Sequence, residues 1–144
     1  MELFISELNC DPYTPGQWGR TPLHDAAQAG CLEIVKYLIE ELKCNPSQLD
    51  EIKLTPLHLA AGKGHLDVAK YLIRDKHCNL LCRSKSHNTP LHLAARDGQL
   101  EVVKYFIEDL NCPPNIRGHH DMTPLEKARS QGHTHVVQYL MSVV

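Results

Sequence analysis

Ten histidines and six cysteines are the side chains of this 144-residue chain best suited to chemistry. His119-His120, His133-Thr134-His135 and the pair Cys78 and Cys82 are the local groupings that could ligate zinc, for which imidazole and thiolate are the usual donors. A zinc site needs about four donors converging on one point, and each of these groupings supplies only a pair. His24, His58 and His92 recur at one spacing, as do Cys10, Cys44, Cys78 and Cys112. Side chains in such a register belong to successive structural units and cannot gather round one ion. No metal and no cofactor are therefore expected. Covalent catalysis finds no better footing, because no G-x-S-x-G elbow, H-E-x-x-H or C-x-x-C motif is present. Gly62-Lys63-Gly64 resembles a piece of a phosphate loop, but the upstream glycine and the following Ser or Thr are missing. No catalytic residue can be assigned, and the expectation is that the chain is not an enzyme.

The elements that position these residues follow from one phrase, Thr21-Pro22-Leu23-His24, repeated as Thr55-Pro56-Leu57-His58, Thr89-Pro90-Leu91-His92 and Thr123-Pro124-Leu125-Glu126, 34 residues apart each time. Thr is a good helix N-cap, Pro suits the first helical position, and Leu begins an apolar face, so a helix starts at each copy. Gly30, Gly64, Gly98 and Gly132 follow, and then a second run of helical apolar period such as Leu32 to Ile39. Each unit reads as helix, turn, helix. Thr123 with Glu126 is expected to form a capping box that the other three copies lack.

The remaining columns read as packing. Cys10, Cys44, Cys78 and Cys112 lie on neighbouring units, whose helices pack roughly 8–10 Å apart, beyond the ~7 Å Cα limit for a disulfide. They are expected to be buried thiols, with Cys31 and Cys82 outside the column, in a reducing compartment. Tyr37, Tyr71, Tyr105 and Tyr139 also recur in register and are read as core or half-core packing. With a net charge of -2 and 6% aromatic residues, the composition gives no broad positive field for nucleic acid or anionic membrane. Met1 to Leu8 lack the basic start of a signal peptide, and no run has the length of a membrane span. A soluble, intracellular, cytoplasmic monomer is expected, with no nucleic-acid or membrane partner.

The Thr-Pro-Leu-His phrase, with Ala26-Ala27, Ala60-Ala61 and Ala94-Ala95 after it and the glycine beyond, resembles the ankyrin repeat family, whose signature is T-P-L-H-x-A with a period of 33. The resemblance covers nearly the whole chain. It implies an all-α solenoid of stacked helix-turn-helix pairs joined by β-turn or hairpin fingers, and one domain over residues 1–144. The repeats centre on residues 21–44, 55–78, 89–112 and 123–144. Residues 1–12 align with the end of a second helix, either as part of a longer array or as an N-terminal lid. It also implies that the repeated histidines tie helix starts to adjacent fingers. Each unit is one residue longer than the family's, which predicts a longer second helix with a displaced stop. Asn9, Lys43, His77 and Asn111 stand where the family has a left-handed glycine, and Lys53, His87 and Asp121 replace the glycine of the finger turn. Leu59 and Leu93 give way to Asp25 in the first repeat and Lys127 in the last, where Arg129 also replaces an alanine. These polar changes read as the outer faces of terminal repeats, with the array ending near Val144.

For function, the resemblance implies a non-catalytic module that presents a concave surface to another protein or a peptide segment. The family's contact positions fall at Gln17, Trp18 and Arg20, at Glu51, Ile52, Leu54 and Lys63, at Lys85, Ser86, Asn88, Arg96 and Asp97, and at His119, His120 and Met122. Gln28, Ala29, Gly62, Ser130 and Gln131 complete the map. Ile52 and Leu54 would extend an apolar strip from Trp18, flanked by Arg20, Lys63, Lys85 and Arg96. The alternative is a spacer or scaffold segment with no partner of its own.

Overall fold

The computed structural model describes residues 19–143. The fold consists of four helix pairs: α1 (Pro22–Ala29) with α2 (Leu32–Glu40), α3 (Pro56–Gly62) with α4 (Leu66–Lys70), α5 (Pro90–Arg96) with α6 (Leu100–Lys104), and α7 (Pro124–Ser130) with α8 (Thr134–Val143). No strand occurs among the described residues. First helices stack in sequence, α1 on α3, α3 on α5 and α5 on α7, while each second helix packs on its own partner. The lone helix or lid expected at residues 1–12 lies outside the described residues.

Every first helix begins at its Thr in extended conformation with Pro as the first helical residue. The capping box is present in all four copies, which corrects the expectation that only Thr123 has one. Its acceptor in the first three is imidazole: the Thr21, Thr55 and Thr89 N–H groups donate to Nδ1 of His24, His58 and His92 at 3.1, 3.1 and 3.2 Å. Glu126 Oε1 does the same for the Thr123 N–H at 3.3 Å. A ring nitrogen one turn along reaches back as a carboxylate does, so histidine serves where Glu or Gln is usual. The opposite nitrogen, Nε2, lies 3.0, 3.0 and 3.1 Å from the carbonyls of Leu54, Asn88 and Met122 in the next unit's finger, and these contacts form the tie that the resemblance implied.

The additional residue of each unit is taken up in the second helix. After α4 and α6 the chain widens into π-turns, Tyr71–Asp75 and Tyr105–Asp109, where Lys76 N–H reaches back five residues to the Tyr71 carbonyl at 3.3 Å. The helix therefore widens over these residues instead of gaining an added stretch of regular α-helix. The stop follows directly: Lys43, His77 and Asn111 take φ of 59°, 56° and 54°, and the Cys44, Cys78 and Cys112 N–H groups bond to Leu38, Leu72 and Phe106 carbonyls at 3.0, 3.0 and 2.9 Å. This closure is one residue wider than a Schellman motif, in keeping with the widened turn, and has non-glycine residues in the left-handed position.

The core runs through the whole stack. Leu23, Leu57 and Leu91 of the repeated phrase are essentially inaccessible, with the alanine pairs, Val35, Leu38, Val68, Leu72, Val103, Phe106 and Leu140. Cys78 and Cys112 are buried free thiols and Cys44 is buried as well, whereas Cys31 is exposed. A brace joins adjacent units on the groove side: His65 Nε2 lies 2.9 Å from the Gln28 carbonyl, and Gln99 Nε2 donates to the Gly62 carbonyl at 3.1 Å. A Cβ on Gly30 would meet the His65 ring at 2.4 Å, so this position needs glycine for space as well as for its φ of 77°.

Candidate functional site

The fingers reach out between the helix pairs as tight turns. In the second, Asp50 N–H bonds to the Leu54 carbonyl at 3.0 Å and Lys53 N–H to the Asp50 carbonyl at 3.0 Å. The buried Asp50 carboxylate accepts from Ile52 and Leu54 N–H at 3.0 and 2.8 Å. Ser84 holds the third turn in the same manner, with Asn88 N–H donating to its hydroxyl at 3.3 Å. Lys53, His87 and Asp121 adopt φ of 60°, 65° and 60°, so the glycine-like turn geometry persists without glycine. The third finger bonds to the second through Lys85 N–H and the Ile52 carbonyl at 2.8 Å.

Fingers and first helices enclose a cleft of about 330 Å³. Its floor is a separate apolar cluster of Leu54, Leu59 and Leu93, exposed by 9%, 7% and 6%. Arg20, Ile52, Lys63, Ser86, Arg96 and Asp97 line it as well, and Ile52 stands 46% exposed at its edge. The structure thus gathers these expected residues about one concavity. Glu51 and Lys85 are exposed on the finger tips, and His119, His120 and Met122 lie on the fourth finger beyond the cleft. Gln17 and Trp18 fall outside the described residues.

Two expected contact residues are committed to the fold. Leu54 is buried, with its N–H on Asp50 and its carbonyl beside His24. Asn88 is buried too, and its Oδ1 accepts the His119 N–H at 3.2 Å. Conversely, the sequence reading missed Leu59 and Leu93 as groove floor. Their signal is the apolar column whose equivalents are Asp25 in the first repeat and Lys127 in the last. Lys127 continues that column, and its burial, with Arg96 nearby, lowers its ammonium pKa.

The charges at the groove are partly cancelled. Arg20 donates to Gln28 Oε1 at 2.7 Å and pairs with Asp50 at 3.4 Å, and Arg96 grips Asp97 through two bonds of 3.0 and 3.2 Å. Among the described residues Lys63 and Lys85 make no ion pair. The opposite face of the stack is occupied by its own packing. There Lys36, Lys70 and Lys104 lie over the rings of Tyr71, Tyr105 and Tyr139 in the following repeat, 5.5, 5.2 and 5.6 Å from the ring centres. Burial, with the facing Glu40 carboxylate, pushes Tyr71 up to about 12. Among the described residues no three His, Cys, Asp or Glu side chains are grouped as a metal ion would require, and no helix is long and apolar enough to cross a membrane.

Stacked helix pairs, histidine ties between units and finger turns define an α-helical repeat solenoid. A family model described as ankyrin repeats, three copies, matches residues 1–84 and again residues 74–143. The chain belongs to the ankyrin repeat family, whose members are generally non-enzymatic modules for protein–protein interaction. Comparison with curated proteins gives no match.

Proposed function

We propose that residues 1–144 act as one non-catalytic, monomeric, intracellular interaction domain whose groove holds an extended or helical segment of a partner protein. The segment carries apolar anchors and some acidic side chains. The observation that supports this most is the leucine floor of Leu54, Leu59 and Leu93, which forms an apolar cluster apart from the main core and opens into a cleft edged by Ile52, Lys63 and Ser86. Apolar surface enclosed by a polar rim is the usual anatomy of a protein-binding site.

The test is calorimetry against a partner isolated with the full chain as bait, beside circular dichroism of each variant. Ile52→Asp is expected to weaken binding at least ~tenfold with helicity unchanged. Trp18→Ala should do likewise. Lys63→Glu should act mainly by slowing association, an effect that fades with salt. Glu33→Lys on α2, away from the groove, should change nothing. Binding lost with Glu33→Lys but kept with Ile52→Asp would rule out the groove, and no specific partner in any condition would favour a spacer.

A further inference from the structure

The tips of the third and fourth fingers carry side chains that the groove does not use. His119 and His120 are exposed, and their rings stack with centroids 3.9 Å apart and planes 38° from parallel. The backbone presents them there: His120 and Asp121 both take left-handed φ, 56° and 60°, and the His119 N–H is anchored on Asn88 of the third finger. His87, at the tip of that finger, and Lys127 of α7 are the other charged or titratable groups that face His119. Arg83 bridges the fingers from below, donating to the His87 and Arg117 carbonyls at 2.8 and 2.7 Å. Asp121 is the acid of this turn, and Arg117 already holds it through its carbonyl at 2.8 Å and its carboxylate at 3.5 Å. Lys85 adds an exposed cation on the third finger. Lys127 follows Leu59 and Leu93 in the repeat register and is itself buried, so its charge acts on His119 without lying on the surface of the patch.

We propose that the stacked pair His119 and His120, with His87 and Lys85, forms a docking surface for a carboxylate-rich stretch of protein that tightens as the pH falls below neutral. Building on the groove reading, this stretch is the acidic end of the segment whose apolar part occupies the leucine floor. Charge complementarity selects it, because the patch holds a fixed cation and imidazoles and its acid is already paired. Imidazole is the side chain that in general gains its charge between about pH 8 and 5. Desolvation, and then the nearby His120, Lys127 and His87, hold His119 below its ordinary value. Carboxylates laid over the rings reverse that balance, and binding then takes up protons. The gain is confined to the interval above about pH 4.3, where glutamate itself is still ionised.

The probe is a fluorescein-labelled octaglutamate peptide, titrated with the full chain at constant low ionic strength, with anisotropy read at pH 7.5 and 5.5 and circular dichroism at both. Affinity is expected to rise at least ~fivefold on acidification. His119→Gln combined with His120→Gln should remove most of that rise, so that the affinities at the two pH values come together. Ile52→Asp should leave the octaglutamate response intact while weakening the groove partner, so failure of the patch and failure of the groove are told apart. The proposal is overturned if octaglutamate fails to bind, or if the acid gain survives in the double variant. An equal gain with a thymidine octanucleotide would also overturn it, by showing a general attraction for anions.

Discussion

His24, His58 and His92 can do both of their jobs only as neutral imidazole. Nδ1 accepts the N–H of the preceding Thr and so carries no proton, which leaves the Nε2–H to donate to the finger carbonyl. Protonation would place a second hydrogen opposite the Thr N–H. Burial accordingly lowers the pKa of His24 and His58, and brings His92 down to about 4. Below the ordinary value near 6.5 the unfolded chain binds more protons than the folded one. The stabilisation from these residues is thus complete above pH 6.5 and is lost as the pH falls toward about 4. Urea midpoints should drop between pH 6.5 and 5.5, before most carboxylates titrate. His92→Gln should be less stable at pH 7 by about 1–3 kcal/mol, with a shallower dependence on pH in this interval. Equal slopes for the two proteins would show that the histidine ties do not set the acid response.

The second helices end on residues that glycine would serve better. Lys43, His77 and Asn111 occupy the left-handed stop, and Lys53, His87 and Asp121 the equivalent point of the fingers. An L side chain is strained there, and the strain outweighs the extra chain entropy that glycine loses on folding. His77→Gly or Lys53→Gly should raise the unfolding free energy by about 0.5–1 kcal/mol, read from urea melts. Gly30→Ala should lower it by more than that, since it adds a collision with His65. A destabilised His77→Gly would mean that the His77 side chain makes up for its strain. These elements also show what the sequence could convey. The Thr-Pro start, the alanine pairs and the inter-helix glycines each report one local requirement, and each was readable. The π-turns at Tyr71 and Tyr105 were not, because a widened turn depends on how a surplus residue is accommodated and has no residue signature of its own. The capping role of histidine is hidden for a related reason, because Glu or Gln is the usual residue at that position. At the groove, the family resemblance mapped Arg20, Ile52, Lys63 and Arg96 to one surface, and all four line the cleft. It could not show that Arg20 is held by Asp50 and Arg96 by Asp97, since those partnerships depend on rotamers.

In a stack each repeat is stabilised by its neighbours, so equivalent residues need not contribute equally. Leu23, Leu57, Leu91 and Leu125 hold one position in four units, yet the first three are exposed by 0%, 1% and 0% while Leu125 is only partly buried. Leu91 lies between α3 and α7, whereas α7 meets α5 alone among the first helices described. In the same unit Glu126 is exposed where His92 is buried one repeat earlier, whereas Lys127, at the position of Leu93, stays buried and so does not form the polar outer face expected of it. Truncation of Leu91 removes contacts to two neighbours and leaves a cavity that the closely packed alanine pairs cannot fill. Leu91→Ala is therefore expected to cost roughly 2–5 kcal/mol, and Leu125→Ala about 1 kcal/mol. Urea titrations followed by circular dichroism give both values, and the slope of the transition separates local from global loss. If the destabilised repeat uncouples from the rest, Leu125→Ala should show a broadened or two-step transition, whereas Leu91→Ala should shift a single one. Equal costs at the two positions would mean that the stack unfolds as one body and that position along it carries no energetic weight.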